Sequence, residues 1–238
     1  YWKSAGITLH EPRHPLVAMV FEDRQTYLKY SRLDLGTAAT AAIGYYNMRT
    51  NRTLAYDLTG VEGLEGGPQR FSSASHINRV LSQPAAERTV ATVVHEATHQ
   101  LAYNSGLQQR YADNPFWVSE GMAIFFETPD LKSTKGWRTL GGVNRVNLFN
   151  FRKYLRQRPG DSLQTLLSTD QRFRDPALAA SAYAEAWALN YFLLRTRRKQ
   201  LAAYLKTVSA KPVLKWDTPE TRQADFEAAF GEDWDELD

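Results

Sequence analysis

The chain has 238 residues, 43% of them hydrophobic and 12% aromatic, enough to bury the core of one sizeable domain or two packed lobes and to exclude global disorder. With 29 Lys and Arg against 26 Asp and Glu, the net charge is only +3, and no interleaved basic and aromatic motif accompanies it, so nucleic acid is not an expected partner. Cysteine is absent, which removes both a disulfide framework and thiolate ligands; any metal must be held by nitrogen and oxygen.

No apolar run approaches the length of a membrane span, and no signal peptide is visible. The chain opens at Tyr1 rather than Met, which reads as processing or excision. Residues 1–15 read as irregular, with Pro12 and Pro15; His10 and His14 have ligand-like spacing, but Glu11-Pro12-Arg13 between them argues against a helix. Leu16–Phe21 is a short apolar run read as a buried strand, and Glu22–Arg32 reads as a helix with Tyr27, Leu28 and Leu33 inward. Gly44-Tyr45-Tyr46 and Thr53–Leu58 flank the turn-rich segment 47–52, a hairpin pattern. Its second strand is either an ordinary sheet edge or an exposed one able to hold an extended peptide. Residues 59–83, rich in glycine and serine, read as a mobile loop over a cleft mouth, carrying His76.

The strongest signal follows. Pro84 suits a first helical turn, and Val90, Val93, Val94, Ala97, Leu101 and Ala102 recur at helical spacing until Asn104-Ser105-Gly106 stops them. Within this run stands His95-Glu96-Ala97-Thr98-His99. Four residues is slightly more than one turn, so the two imidazoles share a face about 6 Å apart along the axis and can converge on one Zn²⁺. Glu96, rotated about 100° from His95, is poorly placed as a ligand but can take a proton from water at the metal.

Further on, Asp113-Asn114-Pro115 reads as a capped start for a helix running through Phe116–Glu127 and ending before Pro129. Its inner positions are strongly apolar, so Glu120 sits in hydrophobic company. A carboxylate there needs a cation, and the metal is the obvious one. Residues 131–142 are loop-like around Trp137. The remainder reads as helical: Val143–Arg156, a short capped helix at Asp161–Leu167, a segment opened by Asp175-Pro176 that runs to Leu194 with a break near Ser181, then Leu201–Val208 and Pro219–Phe230. Arg195, Arg197, Arg198 and Lys199 read as a solvated helix end, with a polyanion patch as the lesser alternative. The order of elements predicts a helix-rich α+β protein, with an N-terminal α/β lobe over 1–108 that includes the metal helix, a mostly helical lobe over 109–238, and a cleft between them.

His95-Glu96-x-x-His99, with twenty residues between His99 and the Glu120 of Trp117-Val118-Ser119-Glu120-Gly121-Met122-Ala123, resembles the gluzincin zinc metallopeptidases, which include thermolysin-like enzymes and zinc aminopeptidases. More closely, Gly44–Tyr46, the metal helix, Trp117–Glu127, Trp137–Asn147 and Tyr183–Leu189 are similar to an uncharacterised bacterial family of such domains of unknown function. The resemblance implies a gluzincin core holding one Zn²⁺ on His95, His99 and Glu120, with Glu96 as general base and Glu127 as a supporting group. It also implies an oxyanion donor from the downstream lobe. Tyr183 is the first choice, ahead of Tyr191, Tyr103, Tyr111 and His76. An exported or envelope location is implied as well. The chain has Val61–Gly67 where zinc aminopeptidases carry a Gly-x-Met-Glu-Asn stretch, which favours an endopeptidase acting on peptide or protein. Three alternatives are weighed beside it: a hydrolase of another amide, a non-catalytic zinc-containing envelope-binding module, and a two-His, one-carboxylate iron oxygenase.

Overall fold

Strand-favouring tyrosine and threonine on either side of an Asn- and Arg-rich tip make the hairpin the first recognisable element. In the computed structural model, which describes residues 2–58, 84–128 and 139–234, the strands are β1 (Val17–Phe21), β2 (Gly44–Asn47) and β3 (Arg52–Tyr56). β2 and β3 pair antiparallel, with Tyr45 opposite Leu54 and Tyr46 opposite Thr53. Polar side chains close the turn. Asn47 Oδ1 accepts from the N–H groups of Arg49 and Thr50, and the Tyr46 hydroxyl donates to Asn51 at 2.7 Å.

Two expectations change here. β1 pairs in parallel with β3, so the sheet order is β1-β3-β2 and β3 is hydrogen-bonded on both sides. It therefore offers no free edge to an extended peptide, which the sequence alone left open. The run ending at Phe21 is a strand but not a buried one: Val17 and Val20 are 44% and 55% exposed, because β1 lies at the edge and only Met19 and Phe21 turn onto the aromatic cluster.

That cluster, Tyr27, Tyr45, Leu54 and Tyr56, is closed by α1 (Arg24–Leu35). Asp23 caps α1, its carboxylate accepting the Thr26 N–H at 2.8 Å. Tyr27 and Ser31, four residues apart, face inward. Leu33, expected inward, is 84% exposed, since two residues beyond Ser31 is about 200° around the helix.

The expected long helix forms as α2 (Pro84–Asn104). It ends where Gly106 adopts a φ of 83°, with the Ser105 N–H returning to the Leu101 carbonyl. Its apolar stripe is shallower than its sequence suggests. Val90, Val93, Val94 and Ala97 are half-buried, and Leu101 is exposed.

The chain divides into two compact units, His14–Gln100 and Tyr1–Arg13 with Leu101–Asp238, the division falling inside α2. The second unit is all helix among its described residues apart from loops and turns: α3 (Phe116–Glu127), α4 (Arg145–Leu155), α5 (Ser162–Ser168), α6 (Gln171–Arg174), α7 (Ala179–Thr196), α8 (Arg198–Ser209) and α9 (Pro219–Phe230). The protein is thus helix-rich α+β with a small three-stranded sheet.

At the centre of the second unit, Trp117, Val118, Met122 and Phe125 of α3 pack with Ala182, Ala186, Leu189 and Leu193 of α7. Small residues permit the close approach. The Asn190 amide donates to the carbonyls of Trp117 and Ala186, and a Cβ at Gly121 would run into the Asn190 side chain and stand 2.5 Å from the Ala186 carbonyl oxygen. Gly121→Ala is therefore expected to destabilise the fold by about 1–3 kcal/mol, the usual cost of overpacking. Urea unfolding checks it; a midpoint equal to wild type would mean that α3 and α7 can separate freely.

α3 starts at Phe116, but neither Asp113 nor Asn114 caps it. Asp113 is instead paired with Arg222, whose guanidinium also holds Asp170, and Asp170 accepts the Phe116 N–H at 3.0 Å. The cap comes from a residue 54 positions away. Burial opposes the Arg222 charge, yet the two carboxylates together raise its pKa, so the guanidinium keeps its charge. A second buried ionic group joins Glu185 to Arg158 and Arg172, with the Ser162 hydroxyl donating to the same carboxylate. α7 begins at Ala179 and runs unbroken through Ser181, correcting the expected break. α4 buries none of its residues fully; Val146 and Phe149 are each 70% exposed. No helix of the described residues is long and apolar enough to cross a membrane.

Candidate metal centre

The spacing of His95 and His99 on α2 puts their rings on successive turns, and the fold brings the ring nitrogens together. The two Nε2 atoms lie 3.2 Å apart, with ring centroids 5.0 Å apart and planes at 73°. Two nitrogens bound tetrahedrally at the usual Zn–N length stand about 3.3 Å from each other. The pair is therefore already at the separation that a tetrahedral ion requires. One ligand atom from each of His95, His99 and Glu120 falls within 4.8 Å of the others, and all three side chains are half- to fully buried. A donor set of two imidazoles and a carboxylate fits zinc and also fits other divalent first-row metals. The group could hold a metal ion.

The helix carrying the histidines is fastened to the sheet by the next residue. Gln100, 3% exposed, donates from Nε2 to the carbonyls of Asn51 at 2.7 Å and Val17 at 3.2 Å, and its Oε1 accepts from the Thr53 hydroxyl. One step on from His99 is a 100° rotation, which turns Gln100 toward β1 and β3. Its position was legible, but its partners are 47 to 83 residues away and were not. Similarly, Gln108 donates to the Ser119 hydroxyl at 2.6 Å, both buried, while Gly121 abuts Asn190. Glu120 thus has a held residue on each side, and neither brace carries a sequence motif that would have announced it.

Glu96 is half-buried on α2, and its backbone carbonyl faces the Thr53 hydroxyl at 3.5 Å. Burial first, and the Glu96 charge second, push the Tyr27 phenol up to about 12. Tyr27 therefore stays neutral at physiological pH. The Glu127 carboxylate accepts from Asn144 Nδ2 at 3.2 Å, tying the end of α3 to the start of α4.

Tyr183 lies on α7, half-buried, with its ring edge-on to Phe173 at 5.2 Å. Of the other donors considered, Tyr191 packs on Trp187 and beneath Arg195, Tyr103 is half-buried near the end of α2, and Tyr111 has a left-handed backbone with Arg110 over its ring. His76, the loop at 59–83 and Trp137 lie outside the described residues. The His10 ring covers Gly106, and among the described residues neither His10 nor His14 enters a metal-ligating group. Arg195 and Arg198 are occupied at helix ends, donating to the carbonyls of Gly141 and Leu194.

Residues 89–215 match the family described as "Protein of unknown function (DUF1570)". No curated protein and no solved structure matches the chain.

Proposed function

The chain belongs to this family of unknown function, matched over more than half its length, and from the chemistry of the centre we propose that it is a mononuclear zinc metallopeptidase of gluzincin type. What carries the reading is the 3.2 Å separation of the His95 and His99 ring nitrogens, with a Glu120 oxygen gathered beside them. His95, His99 and Glu120 would hold the ion, a three-ligand set of the kind that catalytic zinc sites use. Zinc bound there acidifies water and polarises a carbonyl.

The remaining work belongs to the chain. Glu96, one residue from a ligand and on the same turn, accepts the proton of the attacking water and returns it to the leaving nitrogen, so both steps use one carboxylate. Tyr183 is the proposed hydroxyl donor to the developing oxyanion. Val61–Gly67 stands where zinc aminopeptidases carry the Gly-x-Met-Glu-Asn stretch that binds a free amino terminus, which supports internal cleavage of peptides.

Metal analysis of protein purified without added metal, together with an unbiased peptide library, tests the reading. One zinc per chain and cleavage at internal bonds are expected. Iron in place of zinc, or peptide binding without turnover, would overturn it, the latter in favour of a non-catalytic binding module.

A further inference from the structure

The turn between α8 and α9 carries large apolar side chains into solvent. Val213, Leu214 and Trp216 are 51%, 72% and 63% exposed, and Tyr111, 40% exposed, joins them through a 2.7 Å hydrogen bond from the Leu214 N–H to its carbonyl. Leu214 has a φ of 59° and Tyr111 a φ of 66°. Bulky residues rarely adopt this conformation, and strain of this kind persists only where the surroundings impose it. Here the strain holds a leucine outward that glycine would replace at no steric cost.

The charges are sorted as well. Between Lys206 and Trp216, and between Ser105 and Ala112, every charged residue is basic; Lys206 and Lys215 are exposed and Arg110 half-buried, whereas the Lys211 side chain is turned in and neutralised by its two aspartate partners. The nearest acids in sequence are turned inward, Asp113 onto Arg222 and Asp217 onto Lys211, which also meets Asp225. Lys215 is exposed between Leu214 and Trp216, and the Arg110 guanidinium stacks on Tyr111 at 5.5 Å. An aromatic and aliphatic tip with exposed cations beside it has the chemistry of the lipid–water boundary, where Trp and Tyr sit at headgroup depth and Lys and Arg are attracted to anionic lipid.

We propose that the Tyr111–Val213–Leu214–Trp216 tip docks this protein reversibly on an anionic lipid surface. So small an apolar tip gives only marginal binding alone, so the cations must contribute and salt must weaken it. The inference does not depend on the metal centre.

The test is co-sedimentation of the full chain with vesicles of phosphatidylcholine, with or without 30 to 40% (a chosen range, roughly that of anionic membranes) phosphatidylglycerol. Tryptophan emission is followed in parallel. Binding is expected only with the anionic lipid, with an emission blue shift that Trp216→Phe abolishes and Trp137→Phe leaves in place, since Trp2, Trp117 and Trp187 are already buried and Trp234 packs on the core. Leu214→Gly separates docking from folding: relief of the positive φ should leave the thermal midpoint equal or higher while vesicle binding falls at least about fivefold. Three results would overturn the proposal: no binding of wild type to anionic vesicles, undiminished binding of Leu214→Gly, or self-association in solution that the same substitution abolishes.

Discussion

Glu96→Gln is expected to lower kcat for peptide cleavage by about 10²–10⁴-fold, the range that a positioned general base supplies. Zinc content should be unchanged, because Glu96 is not one of the three gathered donors. The amide keeps the size and polarity of the side chain but cannot take a proton, so KM should move little. Activity within a few fold of wild type, at equal zinc content, would remove Glu96 from the mechanism.

The second large effect is on the metal itself. Glu120→Gln keeps the shape of α3 but replaces the only anionic donor of the group by a neutral amide. Loss of an outer partner of a metal ligand commonly weakens binding 10–100-fold, so loss of a ligand's charge should cost about 100-fold or more in zinc affinity. Stability reports the same event. At a zinc concentration about 100 times the wild-type Kd, bound metal adds about 2.7 kcal/mol to the folded state, and the variant should lose most of it. Competition with a chromogenic chelator and melting with and without zinc measure the two. If zinc raised both melting points equally, Glu120 would be no ligand and two histidines alone would remain.

Short-range pattern made much of this protein legible beforehand. The residues of α2, from Pro84 to Asn104, declare a helix through periodicity, an N-terminal proline and a glycine stop; the hairpin is declared by Tyr and Thr around a polar tip. The histidine pair is legible for the same reason, because i, i+4 on a helix is a local geometry. Glu120 needed one further step, the recognition that a carboxylate in an apolar helix wants a cation.

Only the tertiary structure decided how those elements are used. β3 became a central strand because β1 returned in parallel beside it, a pairing across 35 residues of sequence that no turn chemistry encodes. Leu33, Leu101, Val146 and Phe149 are apolar yet exposed, since burial depends on what another element covers and not on the residue's own hydropathy. The α3 cap from Asp170, the Arg222 triad and the Gln100 clamp likewise join residues far apart in the chain. Sequence fixes what a residue can donate, accept or bury; which partner stands opposite is set by packing.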